Sequence, residues 1–156
     1  MQTGPLRTFC KKISRRFREN GEATSSCCEL TKWMELILLP DSLAICSLPR
    51  DAPIPRWALA GNFYAVFRSE EELSIVCPDG HPPADIIADS GWRALKVKGA
   101  LPLNETGVIA SLSAPLAEAG ISVFVISSFY TDYLLVKETD LSKAVRVLRS
   151  HHTINT

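Results

Sequence analysis

The chain has 156 residues, 46% of them apolar and 22% charged, enough for one average domain or two very small ones. Lys+Arg and Asp+Glu both number 17, so the whole chain carries no field that would draw nucleic acid or acidic lipid. The charge is unevenly spread, with seven basic and three acidic side chains in residues 1–33 and ten against fourteen in residues 34–156, a split that separates a basic tail from a folded body.

The opening segment holds the cluster Lys11, Lys12, Arg15, Arg16 and Arg18, then a stretch rich in Gly, Ser, Thr and Cys. Leu6, Phe9, Ile13 and Phe17 lie three or four apart, a spacing that suits a short amphipathic helix. An Arg-rich, Ser-containing start also occurs in transit peptides, but Glu19, Glu22 and Glu29 weigh against that. Residues 1–33 therefore read as a disordered basic extension, with a functional start at Met34 as the alternative. Five cysteines, an odd number with no CxxC pair, fit neither a disulfide framework nor a structural zinc site. Cys46 and Cys77 sit inside apolar runs, where a thiol behaves as a small hydrophobe, and the usage points to a reducing, cytoplasmic setting. No stretch approaches the ~20 apolar residues of a membrane span, and the start has no apolar signal region.

From Met34 the pattern becomes dense. Glu35–Leu39 is an apolar run that Pro40-Asp41 is expected to stop as a turn, and Leu43–Leu48 follows as a second strand. Pro53 and Pro55, with Pro49 just before, place Arg50–Trp57 in a loop or a single helical turn. Phe63–Phe67 and Leu73–Cys77 are strand-like, and Pro78–Ser90 reads as the connection between two halves. Arg93–Val97 alternates as a strand should. Thr106 is placed to cap a helix carrying Val108, Ile109, Leu112 and Leu116 on one face, with Pro115 bending it and Gly120 stopping it. Ile121–Ile126 and Tyr133–Val136 are strands. Thr139 or Asp140 then caps a last helix with Leu141, Ala144, Val145 and Leu148 on one face. The order is β-α-β-β-α, an α+β plan, and Met34–Cys77 looks like a helix-poor version of it. Phe67–Cys77 and Ser127–Lys137 also align, each with an acidic residue just before an apolar strand, as two tandem halves would.

The run Thr106-Gly107-Val108-Ile109-Ala110-Ser111-Leu112-Ser113-Ala114-Pro115-Leu116-Ala117-Glu118-Ala119-Gly120-Ile121-Ser122 resembles the helix-and-strand signature of ACT domains. Ile126-Ser127-Ser128-Phe129-Tyr130-Thr131-Asp132-Tyr133-Leu134-Leu135-Val136 is similar to the strand pair of the tandem-ACT family, whose members include small bacterial amino-acid-binding proteins and a cytosolic arginine sensor of animals. Glu71-Glu72-Leu73-Ser74-Ile75-Val76-Cys77-Pro78 and Gly91-Trp92-Arg93 resemble that family's first-half ending and linker. The resemblance covers most of Met34–Leu148 and nothing of residues 1–33.

It implies a ferredoxin-like βαββαβ fold in two tandem units: a degenerate, helix-poor unit over 34–90 including the linker, then an ACT domain over 91–150, with 151–156 a C-terminal tail. It also implies an amino acid held where two ACT units meet, embraced by the loop between first strand and first helix. Here that loop is Leu103-Asn104-Glu105-Thr106-Gly107-Val108-Ile109. The chemistry agrees: Gly107 admits close backbone approach, N–H groups at a helix start suit a carboxylate, and Glu105 or Asp132 suits an ammonium or guanidinium. The resemblance carries Glu105 and Asp132 onto the sensor's acidic positions and so favours a cationic amino acid such as arginine. The sensor holds four ACT units against at most two here, so a second copy of the chain is an expected partner, a homodimer, unless a regulated protein fills that role.

Each of these residues also has a plainer reading. Asn104 and Glu105 sit in a turn before a helix, where an acid is favoured by the dipole alone. Thr106 serves equally as an N-cap, Val108 and Ile109 as core, Asp132 as a turn cap, and Ser127 and Ser128 as small packing residues. His81 reads as solvent-exposed, and His151-His152 as cations at the end of the last helix. No catalytic, cofactor or metal site is expected: the chain lacks G-x-S-x-G, G-x-G-x-x-G, a Walker loop and HExxH, and no nucleophile accompanies Glu105 and Asp132. The expectation is thus a non-catalytic amino-acid-binding regulatory module. A ligand-free ACT adaptor for protein association is the alternative, and a small enzyme using Glu105 and Asp132 the weakest reading.

Overall fold

Residue by residue, what decides this fold is the alternation of its strands. In β3 (Glu72–Pro78) Leu73, Ile75 and Cys77 are buried on one face with Ala44, Cys46 and Leu48 of β1 (Glu35–Pro49), while Val76 joins Leu43 on the other. In β6 (Asp132–Lys137) Leu134 and Val136 point to one face and Leu135 to the opposite one. A strand with period two that is apolar on both faces must be covered on both, so these strands belong to a central sheet.

A computed structural model of the chain describes residues 33–155. The readings made for residues 1–32, including the amphipathic spacing and Cys10, Cys27 and Cys28, lie outside them. The described residues run β1, a 3₁₀ turn (Arg56–Leu59), β2 (Ala65–Arg68), β3, β4 (Ile87–Val97), α1 (Val108–Glu118), β5 (Phe124–Ser127), β6, α2 (Glu138–Leu148) and β7 (Thr153–Asn155). The strands form one seven-stranded sheet in the order β2-β3-β1-β4-β6-β5, with β7 alongside β1. The stretch β4-α1-β5-β6-α2-β7 is the expected βαββαβ run of a ferredoxin-like fold. Its helices place Val108, Leu112, Leu116, Ala144 and Leu148 over Leu36, Leu95, Val97, Leu134 and Val136. The other face carries Leu43, Val76, Trp92, Ala94 and Leu135, with Phe63 and Tyr133 in ring contact at 4.9 Å.

Several local expectations are corrected. Pro40-Asp41 makes no turn, because β1 runs through it. Between the pairs Leu38–Leu95 and Ser42–Arg93, three residues of β1 oppose one of β4, and this bulge takes up the proline that cannot join the ladder. The connection expected over Pro78–Ser90 ends early, since Ile87–Ser90 already belong to β4. Neither Thr106 nor Thr139 or Asp140 caps a helix: the N-cap of α1 is Gly107 at φ 81°, that of α2 is Lys137, and neither end has a side-chain cap. At the other end of α1, Gly120 does stop the helix, at φ 69°, with Gly120 N–H on Ala117 O (3.0 Å) and Ile121 N–H on Leu116 O (2.9 Å). These two bonds are the paired C-terminal closure that a left-handed glycine permits. Residues 151–156 are more than a tail. Thr153–Asn155 form β7, parallel to Glu35–Ile37, and His152 is buried, not a cation at a helix end.

Candidate functional site

Between β4 and α1 the chain passes through a loop that tightens as it nears the helix. Glu105 N–H bonds Pro102 O at 2.9 Å, and Gly107 turns the backbone through a positive φ into the first turn of α1. An L side chain strains at that φ, so the turn requires the glycine. Across from this loop stands the β5–β6 hairpin, where Ser127 pairs with Asp132. Its tip is closed at Ser128, whose N–H and Oγ both donate to Thr131 O (2.9 and 2.7 Å) while Thr131 N–H donates back to Ser128 Oγ (3.2 Å).

Loop and hairpin are the two walls of a cleft of about 340 Å³. Of the sequence-expected residues, the cleft brings together Glu105, Gly107, Val108, Ile109, Ser127 and Asp132; Asn104 and Thr106, both exposed, do not line it. Leu103, the first residue of the expected loop, also lines the cleft, while sequence reasoning missed Leu101 and the aromatic pair Phe129 and Tyr130, whose rings meet edge to face at 5.0 Å. Leu103, Phe129 and Tyr130 are 74%, 67% and 66% exposed, so the mouth of the cleft has an apolar rim. The signal available in the sequence was Phe129-Tyr130 standing between two short polar residues and the strand, which reads as a hairpin tip only when the partner wall is known.

Chemically the lining is one-sided. Glu105 and Asp132 contribute two carboxylates, and no Lys, Arg or His is among the described residues that line the cleft. Beside them lies the start of α1, where N–H groups and the helix dipole present partial positive charge that no side-chain cap occupies. A cleft with carboxylates at one place and helix N–H groups at another matches a molecule bearing both a cation and a carboxylate. Among the described residues no group of three His, Cys, Asp or Glu could hold a metal ion, and no helix is long and apolar enough to cross a membrane.

Residues 87–150, which contain the whole cleft, match the ACT-domain family model, and a separate model of an N-terminal domain matches residues 41–85. A solved protein from Agobacterium tumefaciens is 37% identical with a TM-score of 0.76, covering 80% of this chain and 93% of that one. The chain belongs to the ACT-domain family. Among curated proteins it is similar to the cytosolic arginine sensor for mTORC1 subunit 1 of Bos taurus, 35% identical over 110 residues, which is 61% of this chain and 33% of the sensor. It spans less than half the length of the curated relatives it matches. The regulatory subunit of aspartate kinase from Thermus thermophilus, 12% identical with a TM-score of 0.52 over 74% of this chain and 95% of that one, shares the fold.

Proposed function

We propose that this protein is a non-catalytic regulatory module that binds a cationic amino acid in the cleft between the β4–α1 loop and the β5–β6 hairpin. The observation that carries the reading is the lining itself, which sets the carboxylates of Glu105 and Asp132 near the N–H groups at the start of α1. The α-carboxylate faces the N–H groups at Gly107–Ile109, and Asp132 and Glu105 take the ammonium or guanidinium. The sensor similarity points to arginine within this class. On the same reading residues 34–90 form a reduced first ACT-like unit and 91–150 the full one, while residues 1–33 are an extension. The ligand favours one association of the module, in the cytoplasm, with a second copy or a regulated protein, and shifts it by its difference in affinity for the two states.

The test is a thermal-shift series on the whole chain against the twenty amino acids, repeated with Asp132→Ala and Glu105→Ala. At ligand about a hundredfold above its dissociation constant, stabilisation is about 2.7 kcal/mol, a rise of about 5–10 °C for a domain this size. Asp132→Ala should remove the rise while leaving the ligand-free melting point nearly unchanged. The exposed rim of Leu103, Phe129 and Tyr130 favours the second reading, a ligand-free adaptor. That reading prevails if no amino acid moves the melting point of a folded sample.

A further inference from the structure

The two walls of the cleft belong to different parts of the chain, so something must hold their separation. The β4–β6 ladder ends at the pair Lys96–Tyr133, just short of the site. Beyond it two hydrogen bonds between described residues join the walls. Leu101 N–H donates to Tyr130 O at 2.7 Å, and Thr131 Oγ1 donates to Val97 O at 2.6 Å. Thr131 is only 5% exposed, and Val97 is buried at 1%. The hydroxyl therefore does at a buried point what the backbone ladder does one pair earlier. The main-chain N–H and C=O of Thr131 are spent inside the hairpin on Ser128, so Thr131 reaches the opposite wall through its side chain. The next residue along is Asp132.

We infer that Thr131 is the positioning residue of the cleft: through Val97 its hydroxyl sets the spacing between the hairpin wall that carries Asp132 and the loop wall that carries Glu105 and Gly107. This rests on the amino-acid reading for its effect on affinity, but the spacing itself is a property of the ligand-free protein. A side chain that keeps the donor keeps the spacing. One that keeps the shape without the donor leaves the Val97 carbonyl buried and unbonded, and the walls part.

The experiment compares wild type, Thr131→Val, Thr131→Ser and Ser128→Ala in the full chain, by calorimetric titration with L-arginine and by amide hydrogen exchange without ligand. Thr131→Val should weaken arginine binding by about tenfold or more, the scale of one lost buried hydrogen bond, and Thr131→Ser by no more than about threefold. In Thr131→Val the Leu101 amide should exchange about tenfold faster while amides of the β1–β3 ladder keep their rates. A role confined to stability would lower the melting point and leave both affinity and Leu101 exchange unchanged, which overturns the inference, as would a serine variant as impaired as the valine one. If Thr131→Val does not fold, Ser128→Ala loosens the same turn, and unchanged affinity and Leu101 exchange there overturn it as well. Should wild type bind no amino acid, the binding reading falls, and the Leu101 exchange rates alone decide for or against Thr131.

Discussion

Pro115 stands inside α1 with no N–H to offer the Ser111 carbonyl four residues earlier. His152 meets that oxygen instead. Its Nε2 lies 3.5 Å from Ser111 O, and its Nδ1 lies 3.4 Å from the Met34 nitrogen. The pairing assigns the neutral tautomer, with Nε2–H donating to Ser111 and Nδ1 accepting from Met34. Burial lowers the His152 pKa below its ordinary value; the Ser111 carbonyl pulls the other way and His151 adds to the lowering. The unfolded chain thus takes up a proton near pH 6.5 that the folded protein refuses until lower pH. Stability from this site is complete above the unfolded value and falls as pH drops through it toward the folded one. Urea unfolding at pH 7.5, 6.5 and 5.5 should show that decline in wild type and a flatter profile in His152→Gln. The carboxyls held low, Glu35 by Lys98 and Asn155 among them, lose their contribution only at more acid pH. Equal slopes in the two proteins would sink this account. Neither role was legible in the sequence, where a proline in a helical pattern signals a bend and a histidine after a helix signals a surface cation. Ser111, whose carbonyl the proline leaves open, and His152, which meets it, are 41 residues apart.

At the scale of elements, the sequence was clear wherever periodicity is local. The faces of α1 and α2 and the strands β3 and β6 follow from apolar spacing, and the cleft-forming loop and hairpin follow from the same segments, although β5 begins at Phe124 and not at the expected Ile121. It was misleading along β1 and β4, because the residues that make bulges are those that elsewhere make turns. Pro40-Asp41 is one case. Gly91 is the other: it sits at φ 76°, where two residues of β4, Ser90 and Gly91, oppose Ala44 alone. Asp79 holds that kink, accepting from Gly91 N–H (3.1 Å), Gly80 N–H (3.1 Å) and Ser42 Oγ (3.2 Å). Burial works to raise the Asp79 carboxyl, and its hydrogen bonds from Ser90, Gly91, Ser42 and Gly80 outweigh that and hold it low. A Cβ at Gly91 would meet no atom within 4 Å, so substitution there tests backbone strain alone. Gly91→Ala should cost about 1–2 kcal/mol, a fall in Tm of about 2–8 °C, and Gly91→Asn clearly less because asparagine tolerates the left-handed region. Differential scanning calorimetry reads both. An alanine variant as stable as wild type would mean that the bulge relaxes, and that its glycine is not what bends β4 around β1.

For the whole molecule, the two halves legible in the sequence are joined by one antiparallel pair. β4 opens the βαββαβ run and is also the strand beside β1 in the first half, so β2-β3-β1-β4 and β5-β6-β4-β1 overlap in the same two strands. β7 closes the second half but pairs with β1, from the opposite end of the described chain. Such contacts carry no local signature. A three-residue strand with two exposed positions looks like a tail until its partner is known. The overlap has a thermodynamic consequence for the domain reading. Residues 91–150 expressed alone would lack β1, β7 and the first four residues of β4, and would expose Leu95, Val97 and Leu148, which pack around Leu36 and Ile154 in the intact core. That fragment should show no cooperative thermal transition and poor NMR dispersion, whereas residues 33–156 should unfold in one step. Adding residues 33–90 in trans to a fragment of 91–156 should restore structure, because β1 supplies both the missing edge of β4 and the partner of β7. A fragment 91–150 that melts cooperatively by itself would show that the second unit holds its own core, and that the shared strands join two separately stable units.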